Sequence, residues 1–346
     1  MCSTRFRVEC EFEEKAMKNQ FKTKKNLKWF GTAPLFDPKE GQTVIEPLSS
    51  GRGWWAGAPN VLYDDQRRRF LISFRHRKPR ELGRGFKACI AESEDGRKAS
   101  IIWEGTKEEL GSDSLERFCI FKHPDGSFTL YASYVDPRDL RWRIDSVHAN
   151  RPEKFDLRKR SQVLTAGDAK VEGVKDPYVF LVGAIYYMFI SYVPSPPKVD
   201  ENLKRRMHET ADVFNTGISR SHTALAISRD GRNFEWAGDI FSPGKGWDGY
   251  ATRIGSILHT PPGFTVFYDG SATVQENYEE KTGMAHTFDL KHYQKLSVDE
   301  PVLVSPHSSG SLRYLDAVEV EGKVYYFYEY AREDGSHELR MNTVDL

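Results

Sequence analysis

A carboxylate beside a proline is the clearest candidate for chemistry in this sequence. Asp176 lies in "VEGVKDPYVFLVGAIYYMFISYV" (residues 171–193), between Lys175 and Pro177 and directly before a long apolar run. The residue before a proline favours extended backbone, and a proline in a sheet is tolerated at the first position of a strand. We therefore expect the Asp176 side chain to be held at the mouth of a buried strand, where a carboxyl group can give or take a proton.

The elements around Asp176 form a repeat. An apolar segment, a turn containing Asp, Gly or Pro, and a second β-prone segment rich in Phe, Tyr, Val and Ile recur five times along the chain. Corresponding positions in the five units are Pro59, Phe118, Pro177, Gly255 and Ala317. Five such units with almost no amphipathic helix between them predict an all-β fold, a five-bladed β-propeller over residues 51–346. A β-sandwich with irregular loops is the alternative.

Two segments fall outside the repeat. Residues 1–50 are predicted to be an N-terminal extension that packs on the propeller or completes a blade. Residues 195–222 form a charged, proline-bounded insertion with helical character, and a loop of this length in a compact domain is usually functional or disordered. It could cap a pocket, with His208 or Arg220 reaching in. A solvated loop and a contact in a homo-oligomer are the alternatives.

The propeller prediction places several polar residues near one another. The innermost strand of each blade starts at one face of a propeller, beside the central axis. The positions that correspond to Asp176 are then Asn60, Glu116 or Arg117, Thr252 or Arg253, and Asp316. Ionisable groups that converge on one funnel are typical of a site for a polar substrate.

Charge and composition exclude several kinds of partner. Lys plus Arg and Asp plus Glu both number 50, so the formal net charge is zero and no general nucleic-acid or membrane surface is predicted. The N-terminus has no apolar core typical of a signal peptide, and the longest apolar stretch is too short to span a membrane. The four cysteines, Cys2, Cys10, Cys89 and Cys119, show no zinc spacing, so we expect reduced thiols and a cytoplasmic protein. HExxH, P-loop and GxGxxG motifs are absent.

Three stretches of the sequence carry a family resemblance. The segment "GVKDPYVFLVGAIYYMFISY" resembles the blade that begins with Glu-Asp-Pro-Arg in glycoside hydrolase family 130. The segment "TRIGSILHTPPGFTVFYDGS" is similar to that family's Ile-Gly…Pro-Pro-Ile…Tyr-His-Gly segment, and "PVLVSP" with a last aromatic strand follows as it does there. The resemblance covers most of residues 54–346 and extends to the wider group of five-bladed propeller enzymes in families 32, 43, 62, 68 and 117.

The resemblance implies an enzyme that cleaves glycosides with inversion, using Asp176 as the general acid and either water or phosphate as the attacking group. The family's Glu and Arg beside the acid are replaced by Lys175 and Tyr178, and the His of its phosphate site is replaced by Asp269. A carboxylate at that place repels phosphate and can deprotonate water, which favours a hydrolase. An anion site made by Arg75, Arg253 and Arg220 would instead favour a phosphorylase of the mannoside type.

These considerations give a set of candidate residues. Asp269 is the first choice for the base, with Glu116, Asp316 and Glu329 as further choices, and inversion requires the two carboxyl groups to be about 6.5–9.5 Å apart. The predicted substrate-binding residues are Trp55, Asn60, Arg75, Arg253, Tyr268, Glu329, His208 and Arg220.

Each of these roles has an alternative. Trp55 stacks on a sugar or fills the gap between the first and last blades, and Arg253 and Glu329 are ligands or structural ion pairs. The hydroxyl of Tyr268 is expected to face the pocket. The partner is a carbohydrate, and a binding propeller without catalysis is the competing hypothesis. No cofactor is predicted, and a calcium ion or similar divalent cation on the axis is left open.

Overall fold

The computed structural model describes residues 31–346. Residues 1–30, which include Cys2, Cys10 and most of the predicted N-terminal extension, lie outside the described residues. The described part of the chain is all-β, as predicted, and its strands form four sheets.

The strands form antiparallel units that follow one another along the chain. After β1 (Gln42–Ile45), the first unit comprises β2 (Trp55–Asp64), β3 (Arg69–Arg77), β4 (Gly85–Ser93) and β5 (Ala99–Thr106). The second comprises β6 (Leu115–Lys122), β7 (Phe128–Val135), β8 (Trp142–Ala149) and β9 (Ser161–Leu164). The third comprises β10 (Gly173–Val182), β11 (Ile185–Val193), β12 (His222–Ser228) and β13 (Glu235–Phe241). The fourth comprises β14 (Ala251–Thr260), β15 (Gly263–Ser271), β16 (Lys281–Thr287) and β17 (Tyr293–Lys295), and the fifth comprises β18 (Leu312–Val320), β19 (Lys323–Ala331) and β20 (His337–Asp345).

Helices are confined to the connections. They are α1 (Ala166–Ala169), α2 (Glu201–His208) and the 3-10 turns Pro38–Glu40, Arg80–Leu82, Pro152–Lys154, Leu157–Lys159, Val213–Asn215 and Val274–Glu276. No helix within residues 31–346 is long and apolar enough to cross a membrane.

The first and fifth units belong to one eight-stranded sheet. A single parallel pairing, Trp55 with His337, joins β2 to β20 and so links the two ends of the repeat. Strand β1 adds to the other side of β20, and Phe36 before it packs on Tyr326 and Tyr328 of β19. The segment before the first unit therefore lies against the last unit.

The first strands of the five units neighbour one another in a closed order. Strand β2 packs beside β6, β6 beside β10, β10 beside β14, β14 beside β18, and β18 beside β2. Residues from all five of these strands line one cavity of about 730 Å³ at the end where the strands finish. The opposite end, where the strands begin, therefore brings together the side chains that precede or open each unit.

Apolar side chains on alternate positions of the strands fill the space between neighbouring units. Leu71 and Ile90 of the first unit, for example, pack with Phe118 and Leu130 of the second. Such contacts are the packing expected of sheets that are buried on both faces.

Every first strand carries a β-bulge at the same place. In the third unit Lys175 pairs with Ser191 and Tyr178 with Phe189, so that two residues of β10 face one residue of β11. Equivalent register shifts lie between Gly57 and Asn60, Leu115 and Phe118, Ile254 and Ser256, and Arg313 and Asp316. The bulges align Ala58, Glu116, Asp176, Ile254 and Tyr314 at equivalent positions.

The bulge corrects the expectation of extended backbone at Asp176. This residue has a φ of 55°, in the left-handed region, as do Ala58 and Tyr314 at the equivalent positions. Pro177 is not the first residue of the strand but lies inside β10, because a bulge leaves residues unpaired and the missing N–H of proline removes no ladder hydrogen bond there. The side chain of Asp176 is therefore aimed by the bulge rather than by an extended strand entrance.

The insertion of residues 195–222 packs on the protein. Met207, Val213 and Phe214 are buried in one apolar cluster with Trp142 and Val193 of the second and third units. The alternative of a fully solvated loop is therefore wrong for this part of the insertion.

Candidate active site

Buried charged side chains fill the space between the five first strands (the axis) at the end where these strands begin. This axial cluster consists of Arg75, Glu116, Lys175, Asp176, Arg253, Asp269, Glu280, Arg313 and Glu329. All five units contribute to it, and every member is 6% exposed or less. Because a buried charge without a partner is very costly, the cations and carboxylates of the cluster must compensate one another.

Asp176 is held by donors from three other units, the second, fourth and fifth. Its Oδ1 accepts a hydrogen bond from the backbone N–H of Arg117 at 3.3 Å, and its Oδ2 accepts from Arg253 Nη1 at 3.2 Å and from the Tyr314 hydroxyl at 3.4 Å. Lys175 Nζ lies 3.7 Å from the same Oδ2. The carboxylate is therefore fixed on the axis and surrounded by groups that stabilise negative charge.

Arg253 joins Asp176 to Asp269. Its Nε and Nη2 donate to Asp269 Oδ2 at 3.0 and 2.7 Å, while Nη1 donates to Asp176. Both carboxylates contact one planar guanidinium, so these oxygens lie within about 8 Å of each other. That upper bound admits both the separation of about 6.5–9.5 Å that inversion requires and the separation of about 5–5.5 Å that retention requires. The contacts of Arg253 are those of a structural ion pair, which the sequence analysis gave as the alternative to a role in substrate binding.

Asp269 and Glu329 occupy equivalent places in the fourth and fifth units. Asp269 pairs across the strands with Arg253, and Glu329 pairs with Arg313. Asp269 also accepts from the N–H of the bulge residue Tyr314 at 2.9 and 3.0 Å, and Glu329 accepts from the N–H of the bulge residue Ala58 at 3.0 Å. Each carboxylate thus accepts a hydrogen bond from a backbone N–H that lies at the bulge of the next unit.

Glu329 is the most heavily paired carboxylate of the cluster. It accepts from Arg313 at 2.7 and 3.0 Å, contacts Arg75 Nη2 at 3.3 Å and lies 2.7 Å from His337 Nδ1. A Cβ at Gly57 would overlap its carboxylate, which explains a glycine at that point of β2. The structural alternative for Glu329 therefore accounts for its contacts.

The surroundings of the carboxylates shift their pKa values in different directions. Burial raises the pKa of Asp269, and the charge of Glu280 adds to this effect although Arg253 opposes it. Burial alone would also raise the pKa of Glu116, but Arg75, Arg77 and Lys175 outweigh it and lower this pKa to about 2. Environments that separate two carboxyl pKa values are typical of acid–base pairs.

Acid should destabilise the fold through Glu116. Its folded-state pKa of about 2 lies below the unfolded value of about 4.3, so its ionisation stabilises the protein above pH 4.3 and this contribution is lost as the pH falls towards 2. Glu116→Gln should lower the free energy of unfolding at pH 7 and flatten its dependence on pH between about 4.5 and 2. Urea unfolding at a series of pH values measures both effects.

Asp316 supplies a control of opposite sign. Burial raises its pKa, so this carboxyl group binds its proton more tightly in the folded state and opposes acid unfolding. Asp316→Asn should therefore steepen the loss of stability on acidification. If the free energy of unfolding of Glu116→Gln depended on pH as steeply as that of the wild type, the assigned ionisation of Glu116 would be contradicted.

A cavity of about 470 Å³ lies beside the axial cluster, since Arg77, which lines it, is 3.6 Å from Glu116 of the cluster. Its lining includes Trp55, Arg77, Tyr278 and Glu279. Trp55 stacks on the His337 ring at 4.5 Å, so it both links the first and fifth units and presents an edge to the cavity. Both interpretations of this tryptophan are therefore compatible with its position.

Tyr278 separates the cavity from the cluster. Its ring lies 4.4 Å from the Arg77 guanidinium and 5.6 Å from Lys175 Nζ, and its backbone φ is 76°. The hydroxyl contacts both oxygens of Asp212 at 2.6 Å, and Asp212 belongs to the 195–222 insertion. Arg80 also contacts Asp212, at 3.2 Å. The insertion therefore covers this end of the axis through Asp212.

Removing the Tyr278 hydroxyl should loosen this cover. Tyr278→Phe keeps the ring but deletes a hydrogen bond to a charged acceptor, worth about 1.5–3 kcal/mol. Amide exchange in residues 200–216 and 272–280 should become faster while exchange in β10 stays unchanged. Tyr134→Phe, which deletes a hydroxyl bond of 2.6 Å to Asp145 within the second unit, is the matched control. Equal exchange in Tyr278→Phe and the wild type would show that the hydroxyl does not hold the cover.

Asn60 and Asp316 lie one layer deeper than Asp176. Because of the bulge they are equivalent to Tyr178, and Asn60 donates to Asp316 at 3.0 Å. Asp316 also accepts from Ser256 at 2.8 Å and lies 3.6 Å from Arg117. The predicted alignment of Asn60 and Asp316 with Asp176 is therefore wrong by two residues, whereas that of Glu116 is right.

Three predicted binding residues lie outside the axial cluster. The Tyr268 hydroxyl faces Asp248 and the Ser297 carbonyl, both at 3.3 Å, so it points towards the outer strands and not the pocket. His208 pairs with Glu172 at 2.8 Å, and Arg220 donates to the Gly249 carbonyl at 3.4 Å. The insertion reaches the site through Asp212 instead, because its helix α2 ends before the chain turns back over the axis.

Sequence reasoning missed Arg77, Tyr278, Glu280 and Arg313. Glu280 contacts Arg313 at 2.6 Å and Arg253 at 3.4 Å and so completes the ring of charges. A signal existed for Arg313, which precedes the fifth bulge as Lys175 precedes the third. Glu280 and Tyr278 lie in the connection between the second and third strands of the fourth unit, and because this connection differs in length from unit to unit, the repeat did not indicate them.

The described residues contain no group of three or more His, Cys, Asp or Glu side chains arranged to hold a metal ion. Cys89 and Cys119, the two cysteines of the described part, are buried and unpaired.

Comparisons with known proteins bear on the fold. No protein-family model and no curated protein sequence matches the chain at a significant level. Among solved structures, a glycosyl hydrolase from Bacteroides ovatus is 16% identical, with 92% of this chain and 94% of that chain covered and a TM-score of 0.63. The chain has the fold of glycoside-cleaving enzymes.

Two further structures extend this likeness. A structure from the family 130 mannoside phosphorylases, a family that contains glycoside hydrolases acting on β-1,2-mannosidic linkages in Candida mannan, is 15% identical over 92% of this chain and 96% of that one, with a TM-score of 0.62. A thermostable family-43 glycoside hydrolase is 15% identical over 88% and 92%, with a TM-score of 0.60. The resemblance inferred from the sequence motifs is thereby confirmed at the level of the fold.

Proposed function

We propose that the protein is a glycosidase that hydrolyses an O-glycosidic bond with inversion. In this proposal the five units of residues 51–346 are the blades of one propeller, and the substrate enters by the cavity at Tyr278. The observation that carries the proposal is the attachment of Asp176 and Asp269 to one guanidinium, that of Arg253. The fold shared with glycoside-cleaving enzymes supports it.

The charge environment favours Asp269 as the acid and Asp176 as the base, the reverse of the roles that the family resemblance implied. Burial raises the pKa of Asp269, which suits a group that must carry a proton. Asp176 accepts from Arg253, Tyr314 and a backbone N–H, and these contacts fix the orientation of its carboxylate for the role of base.

The reaction then balances in one step. Asp269 gives its proton to the glycosidic oxygen as the bond from that oxygen to the anomeric carbon breaks. A water molecule bonds to the anomeric carbon from the opposite face and loses a proton to Asp176. The products are a hemiacetal of inverted configuration and an alcohol, and solvent returns the proton from Asp176 to Asp269.

Hydrolysis is preferred to phosphorolysis because two of the arginines expected to hold phosphate are already paired. Arg75 contacts Glu116 at 2.7 Å and Arg253 contacts Asp176 at 3.2 Å, while Arg220 lies away from the cluster. A free dianion would have to displace a carboxylate from each pair, at a large electrostatic cost.

The proposal is tested with a panel of nitrophenyl glycosides and oligosaccharides. Each compound is incubated with and without inorganic phosphate. Release of free sugar independent of phosphate, with inversion seen by NMR, is the expected result. Formation of a sugar phosphate would instead establish a phosphorylase, and binding without turnover of any glycoside would establish a carbohydrate-binding protein.

Glycosyl fluorides separate the two roles. Their leaving group needs little protonation, so Asp269→Asn should retain most of its activity on them while Asp176→Asn should not. The opposite pattern would return the acid role to Asp176.

A further inference from the structure

The cavity at the end of the axis where the first strands finish, called here the far cavity, has a partly exposed apolar lining. Its volume is about 730 Å³, and all five first strands contribute residues to it. Leu62, Phe121, Phe180 and Val318, from four different units, line it and are each partly exposed. Apolar side chains that gather on one concave surface mark a place where another apolar group binds.

The rim of the far cavity is acidic. Asp65 and Glu319 line it with exposed side chains. Lys122 also lines it, but its Nζ lies 2.6 Å from Oδ1 of Asp64 and is paired there. Burial lowers the pKa of His123, so this histidine adds no positive charge at neutral pH. Negative charge therefore remains at the rim and attracts a basic ligand.

The described part of the chain begins at the edge of the far cavity. Gly31, its first residue, donates its N–H to the Pro261 carbonyl at 3.1 Å. The carbonyl of Gly31 accepts from the Thr260 hydroxyl at 3.4 Å. Thr260 directly follows His259, which lines the far cavity. Because two residues of extended chain span about 7 Å, the residues just before Gly31 are within reach of this lining.

The sequence before Gly31 matches both properties of the far cavity. Residues 16–30, "AMKNQFKTKKNLKWF", contain five lysines and no Asp or Glu. Trp29 and Phe30 stand directly before Gly31, and Leu27 precedes them by two positions. Aromatic side chains bury a large apolar area, and lysines carry the charge that complements an acidic rim.

We propose that residues 16–30 bind in the far cavity, with Trp29 and Phe30 on its apolar lining and the lysines beside Asp65 and Glu319. The bound segment closes the axis at the end opposite to the axial cluster. It also ties the units together, because all five of them contribute to the lining. This inference is independent of the proposed hydrolysis, since it concerns the other end of the axis.

Zero-length cross-linking of the full-length wild type tests where the segment lies. A carbodiimide joins a lysine to a carboxylate that touches it, so the expected products link lysines of residues 16–30 to Asp65 or Glu319. Glu81, an exposed carboxylate that lines the cavity of about 470 Å³, is the control and should give no such link.

A mixture of ¹⁴N- and ¹⁵N-labelled protein shows whether each link lies within one molecule. Links to Asp65 or Glu319 within one molecule support the inference. Absence of both links would overturn it, because the segment would lie elsewhere. Links formed only between two molecules would also overturn it, because the occupant of the cavity would be a second copy of the chain.

Loss of the aromatic anchor should uncover the far cavity. Trp29→Ala should make amide exchange roughly tenfold faster in residues 121–128 and 257–264, which form hairpin ends around the cavity. Exchange in residues 76–85, at the other end of the first unit, should stay unchanged.

Phe12→Ala is the matched control for this variant. It removes an aromatic side chain that also precedes the described residues but lies outside residues 16–30. Equal exchange in Trp29→Ala and the wild type, or equal acceleration by the two substitutions, would overturn the inference. The cross-linking result does not depend on how either variant folds, and neither measurement depends on cleavage of a glycoside.

Discussion

Asp176→Asn should lower turnover by about 10²–10⁴-fold on the substrate that the panel of glycosides identifies. The amide keeps the size of the side chain but cannot take a proton from water. It also removes one negative charge from beside Arg253 and Lys175, which contact the carboxylate at 3.2 and 3.7 Å. Turnover is measured at saturating substrate, and far-ultraviolet circular dichroism together with urea unfolding determines the folded fraction.

A second buried aspartate controls for the loss of charge. Asp145 contacts Arg143 at 2.6 Å in the second unit, away from the axial cluster. Asp145→Asn should therefore destabilise the protein without a comparable loss of turnover per folded molecule. A folded Asp176→Asn protein with near-wild-type turnover would remove Asp176 from the mechanism, and equal losses in the two variants would assign the effect to stability.

Glu329→Gln should lower the free energy of unfolding by about 3–5 kcal/mol. The substitution leaves two fully buried arginines, Arg313 and Arg75, without the charge that now lies 2.7 and 3.3 Å from them. It also disturbs the acceptor for the N–H of Ala58, which closes the contact between the fifth and first units. The midpoint and slope of urea unfolding give the change.

An exposed pair supplies the control for Glu329. Glu321 contacts Arg68 at 3.1 Å, but both side chains are about 70% exposed. Glu321→Gln should therefore cost less than about 1 kcal/mol, since water screens the interaction. Similar losses in the two glutamine variants would mean that burial does not strengthen the Glu329 pairs, contrary to the axial arrangement described above.

Local sequence patterns were sufficient to locate most of the strands of the inner hairpins. Alternating aromatic and β-branched residues around turns with Asp, Gly or Pro predicted the hairpins of β6 with β7 and of β10 with β11. The chosen anchors Pro59, Pro177 and Gly255 lie at equivalent points of their bulges, and Phe118 lies one residue beyond. The alignment of the units is in error at the bulges. The position of a bulge depends on how many residues of the partner strand face it, and the sequence of one strand does not show that number.

The candidate site could be predicted only in part for a related reason. Residues at the level of the bulge, such as Asp176 and Glu116, were found because they recur in a repeated position of the sequence. Glu280 and Tyr278 were not, because they lie in the connection between the second and third strands, which differs in length from unit to unit. The pairing of Arg253 with Asp269 follows from cross-strand register, and its contact with Asp176 follows from packing of the third unit near the fourth.

The order of the residues by itself determined the all-β class, the repeated hairpins and the presence of a carboxylate beside a proline in the third repeat, because strand periodicity and turn chemistry act over a few residues. Tertiary structure alone decided which charges neutralise one another on the axis and which layer each occupies. Electrostatic pairing and burial depend on distances between residues far apart in the chain, so they exist only once the units have packed together.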